Sequence, residues 1–431
     1  MEKLYRFLFL FLTVSVLISC KKEKAPALDN IVPIVFVHGL YGSGDSYTKM
    51  IQYFLANGYP ASKLFTYDWN TLDFRNAPKK TKPLDDFIQE VKNKTGYDKI
   101  NLVGHSLGGN LTFNYCNNSV YTENVNRLAW LAPYLPDRTK IPSDLIPTLN
   151  IRTNTDFVVT DTSTIPGAIN IVIPGKDHNE IASCEESFIE IYKFFNDGKI
   201  PTTIIPEDDN VVISGRLVSF IENLVGSGNK VEIYEVSELN GSRLTVNPVA
   251  TFITDAKGYY GKFAAKKNTY YEFQVSTGRA ADRPVHFYFE PFKNSSNAIY
   301  LRTFPPQSSF LNIGFNAIIP FTEEQAVSIF FSASKTVLLG RDALTLNGFN
   351  CVNTIFADQT LNTLAYFIFD ENKNSVSDYS SVPVFSASQS FKGIDLSLPS
   401  NGFSSYVYNG RTLHTYNWPS ASKGLSVAMF Y

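Results

Sequence analysis

Between residues 30 and 200 the apolar positions switch repeatedly between two rhythms. Short, nearly continuous apolar runs occur at Ile31 to Val37, Leu64 to Tyr67, Lys99 to Val103, Leu128 to Leu131, Thr148 to Thr153 and Ile169 to Ile173. Such runs read as strands buried on both faces, as in a parallel sheet. Between them apolar residues recur at helical spacing. Met50, Ile51, Phe54 and Leu55 do so over 47–57, Phe87, Ile88 and Val91 over Leu84 to Val91, and Leu107, Leu111 and Tyr115 further on. Ile181, Cys184, Phe188, Ile191 and Phe195 predict one last helix from about Asn179 to Phe195. Strands alternating with helices predict an α/β fold with a mostly parallel central sheet covered on both faces.

After residue 200 the pattern changes. Pro201 to Asp209 reads as a linker, placed at 201–210. Beyond it, short runs at Val211–Phe220, Val231–Val236, Thr251–Thr254, Gly258–Phe263 and Tyr270–Val275 alternate with Gly, Asn and Asp turns. The segment from Thr254 to Tyr260 reads as a hairpin. Pro305-Pro306 punctuates the chain again, and 306–431 is strand-rich with few helical signals. This predicts one or two all-β sandwich modules, 211–305 and 306–431, behind an α/β unit at 30–200.

Composition narrows the class. A chain of 431 residues is too long for one ordinary domain. With 44% hydrophobic and 18% charged residues it is globular, and a net charge of −2 gives no sign of a nucleic-acid partner. The 34 Phe and 24 Tyr suit sheet faces. At the N-terminus, Lys3 and Arg6 precede an apolar stretch from Phe7 to Ile18, shorter than the ~20 residues that span a bilayer. It ends in Leu17-Ile18-Ser19-Cys20 and is followed by Lys21-Lys22-Glu23-Lys24. Of the four Cys, Cys116, Cys184 and Cys351 remain, an odd number that fits no zinc spacing. They read as buried thiols, with a Cys116–Cys184 bridge as the alternative.

The candidate chemistry centres on Gly104-His105-Ser106-Leu107-Gly108-Gly109, between the apolar run ending at Val103 and a helical stretch. A G-x-S-x-G turn in strand–turn–helix context lifts its serine above the sheet as a nucleophile. A serine hydroxyl needs a general base. Of five His, His105 sits inside the elbow, His38 belongs to the Val37-His38-Gly39-Leu40 turn, and His286 and His414 lie in the β-rich region. His178, in Gly175-Lys-Asp-His178-Asn, follows a strand and precedes the last helix, so it is the candidate base. The orienting acid belongs between them on a strand-end loop. Asp156 fits, with Asp161 as runner-up; Asp177 is too close in sequence to reach around to the ring. Backbone N–H groups of Leu107 and Leu40 are the candidate oxyanion donors.

The stretches VPIVFVHGLYGSG, KINLVGHSLGGN, NIRTNTDFVV and PGKDHNEI resemble, in that order, the small lidless bacterial triacylglycerol lipases of the α/β-hydrolase fold over residues 31–197. The resemblance implies a Ser106, Asp156, His178 triad, an oxyanion hole at Leu40 and Leu107, and acyl-ester or lipid substrates, with no metal or other cofactor. Residues 211–275, with ISGRLV, VEIYEV and a D-x-x-G-x-Y turn, resemble a carboxypeptidase-regulatory-like (transthyretin-like) β-sandwich. A hydrolase followed by β-domains resembles a two-part archaeal-type lipase family. Residues 17–20 resemble the lipobox of bacterial lipoproteins. That implies a signal peptide at 1–19, lipidation of Cys20, a polar tether at 20–29, and export to the periplasmic or cell-surface face of a membrane.

Between Leu131 and Thr148 lie Pro133, Pro136, Pro142 and Pro147, which leave no room for a helical cap. The site is expected to be open unless a C-terminal module covers it. Tyr41, Trp69, Trp130, Tyr134 and Phe157 are candidate walls. Ester hydrolysis is the leading reading. Amidase, thioesterase or acyltransferase chemistry on the same scaffold, or a non-catalytic surface binding protein, are the alternatives.

Overall fold

The computed structural model describes residues 31–431 except 140, 142, 143, 162, 280, 281, 359, 361 and 387. The expected signal peptide, the expected lipidation site Cys20 and the expected tether lie outside the described residues. Six strands, β1 (Ile34–Val37), β2 (Leu64–Tyr67), β3 (Ile100–His105), β4 (Val125–Leu131), β5 (Thr148–Arg152) and β6 (Ile169–Val172), form one sheet in the order β2-β1-β3-β4-β5-β6. Every pairing in it is parallel. The helices are α1 (Thr48–Ala56), α2 (Thr81–Thr95), α3 (Leu107–Cys116), the single turn α4 (Ser119–Thr122) and α5 (Glu185–Phe195).

Burial on both faces explains the unbroken apolar runs. In β1, Ile34 and Phe36 join one core with Met50 and Phe54 of α1 and Phe188 and Ile191 of α5. Val35 and Val37 face the opposite core, with Leu84 and Ile88 of α2 and Leu111 of α3. Strand order turns around between β1 and β3, where Val37 lies opposite Gly104. The loops leaving those strands therefore open side by side at the carboxyl edge, where such sheets bind ligands.

Two local expectations are corrected. The helix expected from Asn179 to Phe195 is broken. A 3-10 turn covers Glu180–Ala182, Cys184 is extended (φ −74°, ψ 155°), and α5 starts only at Glu185. Cys116 and Cys184 are free and buried in opposite cores, with the sheet between them, so no bridge joins them.

The remainder is a three-layer β body. Strands β7 (Val211–Ser219), β8 (Lys230–Val236), β9 (Ala250–Ile253), β10 (Tyr259–Ala265), β11 (Tyr270–Ser276), β12 (Val285–Phe289) and β13 (Ser296–Thr303) lie before Pro305. A helix, α6 (Phe310–Ile318), follows, capped by the Ser309 hydroxyl accepting from Leu311 N at 3.1 Å. Then come β14 (Val327–Ser332), β15 (Leu344–Leu346), β16 (Phe349–Asn350), β17 (Ala365–Phe369), β18 (Phe391–Asp395), β19 (Phe403–Tyr408), β20 (Arg411–Tyr416) and β21 (Leu425–Phe430).

The sheet orders are β10-β7-β13, β18-β17-β14-β21-β12-β11-β8-β9 and β16-β15-β19-β20. The eight-stranded sheet is the middle layer. Leu425, Val427 and Met429 of β21 face the core shared with β7 and β13, while Ala428 and Phe430 face the core shared with β15, β19 and β20. Strands from both sides of residue 305 enter this sheet, and β12 pairs with β21. The stretches 211–305 and 306–431 are therefore not separate sandwiches, because neither closes its own core. The expected hairpin at 254–260 is also corrected. Its turn forms, with Gly258 N donating to Asp255 O at 3.0 Å, but β9 and β10 go to different sheets. The turn crosses between layers.

The β body also sits against the parallel-sheet unit. Val218, Ala298 and Tyr300 complete the core built on Tyr47, Met50 and Phe54. Arg216 pairs with Asp68 at 2.6 Å, and Arg302 reaches both oxygens of Asp45 at 2.8 Å.

Candidate active site

Ser106 lies between β3 and α3 with φ 53° and ψ −119°, a conformation that side-chain-bearing residues rarely adopt. Neighbouring backbone holds it there. Ser106 N donates to Leu131 O at 3.1 Å, and Ser106 O accepts from Gly109 N and Tyr134 N, each at 2.9 Å. The flanking glycines leave the space this bend needs. A Cβ on Gly108 would fall 2.1 Å from Val37 O, and one on Gly104 would fall 2.5 Å from Thr112 Oγ1. The turn after β1 is equally close, since a Cβ on Gly39 would lie 2.7 Å from the Ser106 Cβ.

His178 follows β6, on the loop before the 3-10 turn, and is 4% exposed. Its Nδ1 is 2.7 Å from Asp156 Oδ2. A carboxylate can only accept, so Nδ1 carries the proton and Nε2 keeps its lone pair for a proton from serine. Asp156, just beyond β5, also accepts from Val158 N and Val159 N at 2.8 Å through Oδ1. Burial pushes the Asp156 carboxyl up. The hydrogen bond and charge of His178, with the two N–H groups, outweigh this and hold it below the usual carboxylate value. Asp161 turns away, capping Ser163 N at 2.9 Å and lying 3.5 Å from Arg138. Of the two candidate acids, the structure brings Asp156 to the histidine.

His105 links the elbow to His178. Its ring centroid is 4.9 Å from that of His178, and its Nε2 donates to the His178 carbonyl at 2.7 Å. Burial first, then the His178 ring, push its pKa down to about 3, so it stays neutral and braces the base. Leu107 opens α3, where a first-turn N–H has no partner one turn back and the helix dipole favours negative charge. Leu40 sits in the turn beside the elbow with its side chain partly exposed. That turn is braced by Trp69, which donates from Nε1 to His38 O at 3.0 Å and from its backbone N to His38 Nε2 at 3.2 Å. Burial holds the His38 pKa down, consistent with an accepting Nε2.

The walls sort differently from the expectation. Trp130 is fully buried and bonds Thr112 Oγ1 at 3.0 Å; Trp69 is the brace just described. Tyr134 and Phe157 are about half exposed beside Ser106 and Asp156. Tyr41 packs against Phe391 of β18 with tilted rings, centroids 5.1 Å apart. No helix occupies 132–147 among the described residues. The β body also reaches the turn after β1, where Arg302, Phe331 and Leu364 line a small cavity together with Leu40, Tyr41 and His105. Among the described residues no group of three or more His, Cys, Asp and Glu could hold a metal ion.

Sequence reading missed the contribution of the β body to these loops. Asn223 Nδ2 donates to Gly42 O at 2.8 Å and to Trp69 O at 3.1 Å. Arg302, in the middle of an apolar strand, holds Asp45 just past the same turn. A buried arginine in a strand pattern is the one signal that pointed to a distant acidic partner.

Residues 32–151 match the family model described as alpha/beta hydrolase fold, and residues 209–306 the model described as lipase C-terminal domain. The chain has the α/β-hydrolase fold, followed by a β-rich C-terminal region that over 209–306 is similar to a lipase C-terminal domain. Among solved structures, the hydrolase domain is similar to an α/β hydrolase from a sediment metagenome of the Mar Chica lagoon (18% identity, 38% of this chain and 91% of that chain, TM-score 0.30). It is also similar to a monoacylglycerol lipase of Paleococcus ferrophilus (16% identity, 39% and 96%, TM-score 0.28). A bromoperoxidase from Bacillus anthracis gives 15% identity, 38% and 91%, and a TM-score of 0.30.

Proposed function

We propose that this α/β hydrolase is a serine carboxylic-ester hydrolase acting on acyl or lipid esters. The observation that carries the reading is the 2.7 Å contact of His178 Nδ1 with Asp156, on a loop that the neighbour of the strained Ser106, His105, bonds at 2.7 Å. Ser106 Oγ attacks the ester carbonyl as His178 Nε2 takes its proton. The tetrahedral oxyanion is met by the N–H groups of Leu40 and Leu107, and Asp156 steadies the imidazolium. His178 then protonates the departing alkoxide. Water, activated by the same base, releases the acid from Ser106. A lipase C-terminal domain and the apolar Tyr134 and Phe157 at the rim favour lipid-like esters.

The chain is proposed to reach its substrate as an exported lipoprotein tethered through Cys20, the reading supported by the lipobox-like residues 17–20. The test is hydrolysis of p-nitrophenyl esters of increasing acyl length beside the matching anilides. Wild type is expected to turn over esters and Ser106→Ala to lose ~10⁴-fold or more in kcat. Anilide turnover exceeding ester turnover in wild type would favour amidase chemistry instead.

A further inference from the structure

We propose that Arg341 of the β body is a positioning residue for catalysis, setting the reach of His178 through a salt bridge to its chain neighbour Asp177. The inference rests on the reading of His178 as general base. Asp177 does not touch the imidazole, and its carboxylate is fully used elsewhere. Oδ1 accepts from Asn179 N and Glu180 N at 2.9 Å, which starts the 3-10 turn behind the base. Oδ2 accepts from Arg341 Nη1 at 2.7 Å and from Thr336 N at 3.2 Å. The backbone on either side of His178 is thus gripped from outside the hydrolase domain.

The guanidinium is itself fixed before it reaches the loop. Asp342, buried, takes Arg341 Nε at 2.9 Å and Nη2 at 2.8 Å, and Nη2 also donates to Thr336 O. That leaves Nη1 for Asp177 and, at 2.9 Å, Glu180. A planar fork with every arm committed places its last donor to within a fraction of an ångström; an ammonium on a flexible stem does not. Two neutral contacts close the grip. Asn179 Nδ2 donates to Asn362 Oδ1 at 2.7 Å, and Ser183 Oγ donates to Ser334 O at 2.7 Å. On the inner side, His105 and Asp156 hold the His178 carbonyl and ring. The base is therefore clamped between the elbow and the β body. Misplacing a catalytic group by ~1 Å can cost ~10²-fold in rate.

The experiment uses the full chain and compares Arg341→Gln, Arg341→Lys, Asp177→Asn and the double variant. Lys257→Gln, which breaks an exposed contact to Glu90 between the same two units far from the base, is the control. Two readouts are taken on protein of verified fold and Tm: kcat and KM on a soluble ester, and the rate at which a fluorophosphonate labels Ser106. Arg341→Gln and Asp177→Asn should each lower kcat and labelling about 10-fold or more with KM nearly unchanged, and Arg341→Lys should recover only part. The double variant should be no slower than the worse single, the mark of one shared interaction, and Lys257→Gln should match wild type. Labelling and kcat of Arg341→Gln equal to wild type would overturn the proposal. So would losses in the two single variants that multiply. Wild type that fluorophosphonate does not label would instead overturn the serine-hydrolase reading on which the proposal stands.

Discussion

At the scale of single residues, the site depends on which protons sit where. Asp156 fixes the His178 tautomer, and its lowered pKa makes it a stabilising group as well. A carboxyl whose folded pKa lies below its unfolded value of about 3.9 adds stability above that value and loses it as pH falls through the folded pKa. Asp156→Asn should therefore lose ~10³–10⁴-fold in kcat. Its Tm should fall short of wild type at pH 6, with the gap narrowing below about pH 4. Parallel melting and rate measurements across pH check both, and a gap that widened in acid would contradict the assignment. The strand-end positions of Ser106, Asp156 and His178 were legible in the sequence because each follows an apolar strand at a recognisable turn. Asp177 was legible only as a residue too near the base to orient it. What it does depends on Arg341, 164 positions away, and no local pattern encodes that.

At the scale of elements, the elbow turn forms because the backbone of Gly108 in α3 packs directly on the end of β1. Gly108→Ala would drive a methyl into Val37 O, where the Cβ would sit 2.1 Å away. Backbone cannot give as a flexible side chain can, so overpacking here should cost about 3 kcal/mol or more. Denaturant unfolding should show the midpoint falling, and an unchanged midpoint would mean that the elbow is slacker than drawn. The hydrolase strands could be read from sequence because strands buried on both faces leave long apolar runs. The break before α5 could not, since Cys184 fits the helical stripe although its backbone is extended. The 254–260 turn was readable and its consequence was not. Asp255 and Gly258 satisfy each other locally whether the flanking strands pair or part.

Across the whole molecule, the β body holds the loops of the candidate site. Asn223 and Arg302 bond the turn after β1, and Ser334 and Asn362 bond the segment after His178. Removing the β body would strip Asp45 of its arginine. It would also bare the core that Val218, Ala298 and Tyr300 close. A 31–200 fragment should aggregate or lose cooperative unfolding, with esterase activity at least ~100-fold below the full chain. A folded fragment of full activity would show the units to be independent. Sequence reading divided this body at Pro305 because pairings such as β12 with β21 join segments about 140 residues apart. Strand patterns reveal faces but not partners.

The central claim is that Ser106 becomes acylated by an ester. Intact-protein mass spectrometry of acid-quenched turnover mixtures with a p-nitrophenyl ester tests it most directly, followed by peptide mapping. One added acyl group is expected on the peptide holding Ser106, formed with the release of p-nitrophenol and absent from Ser106→Ala. An acyl group on another residue, or undiminished turnover by Ser106→Ala, would contradict it.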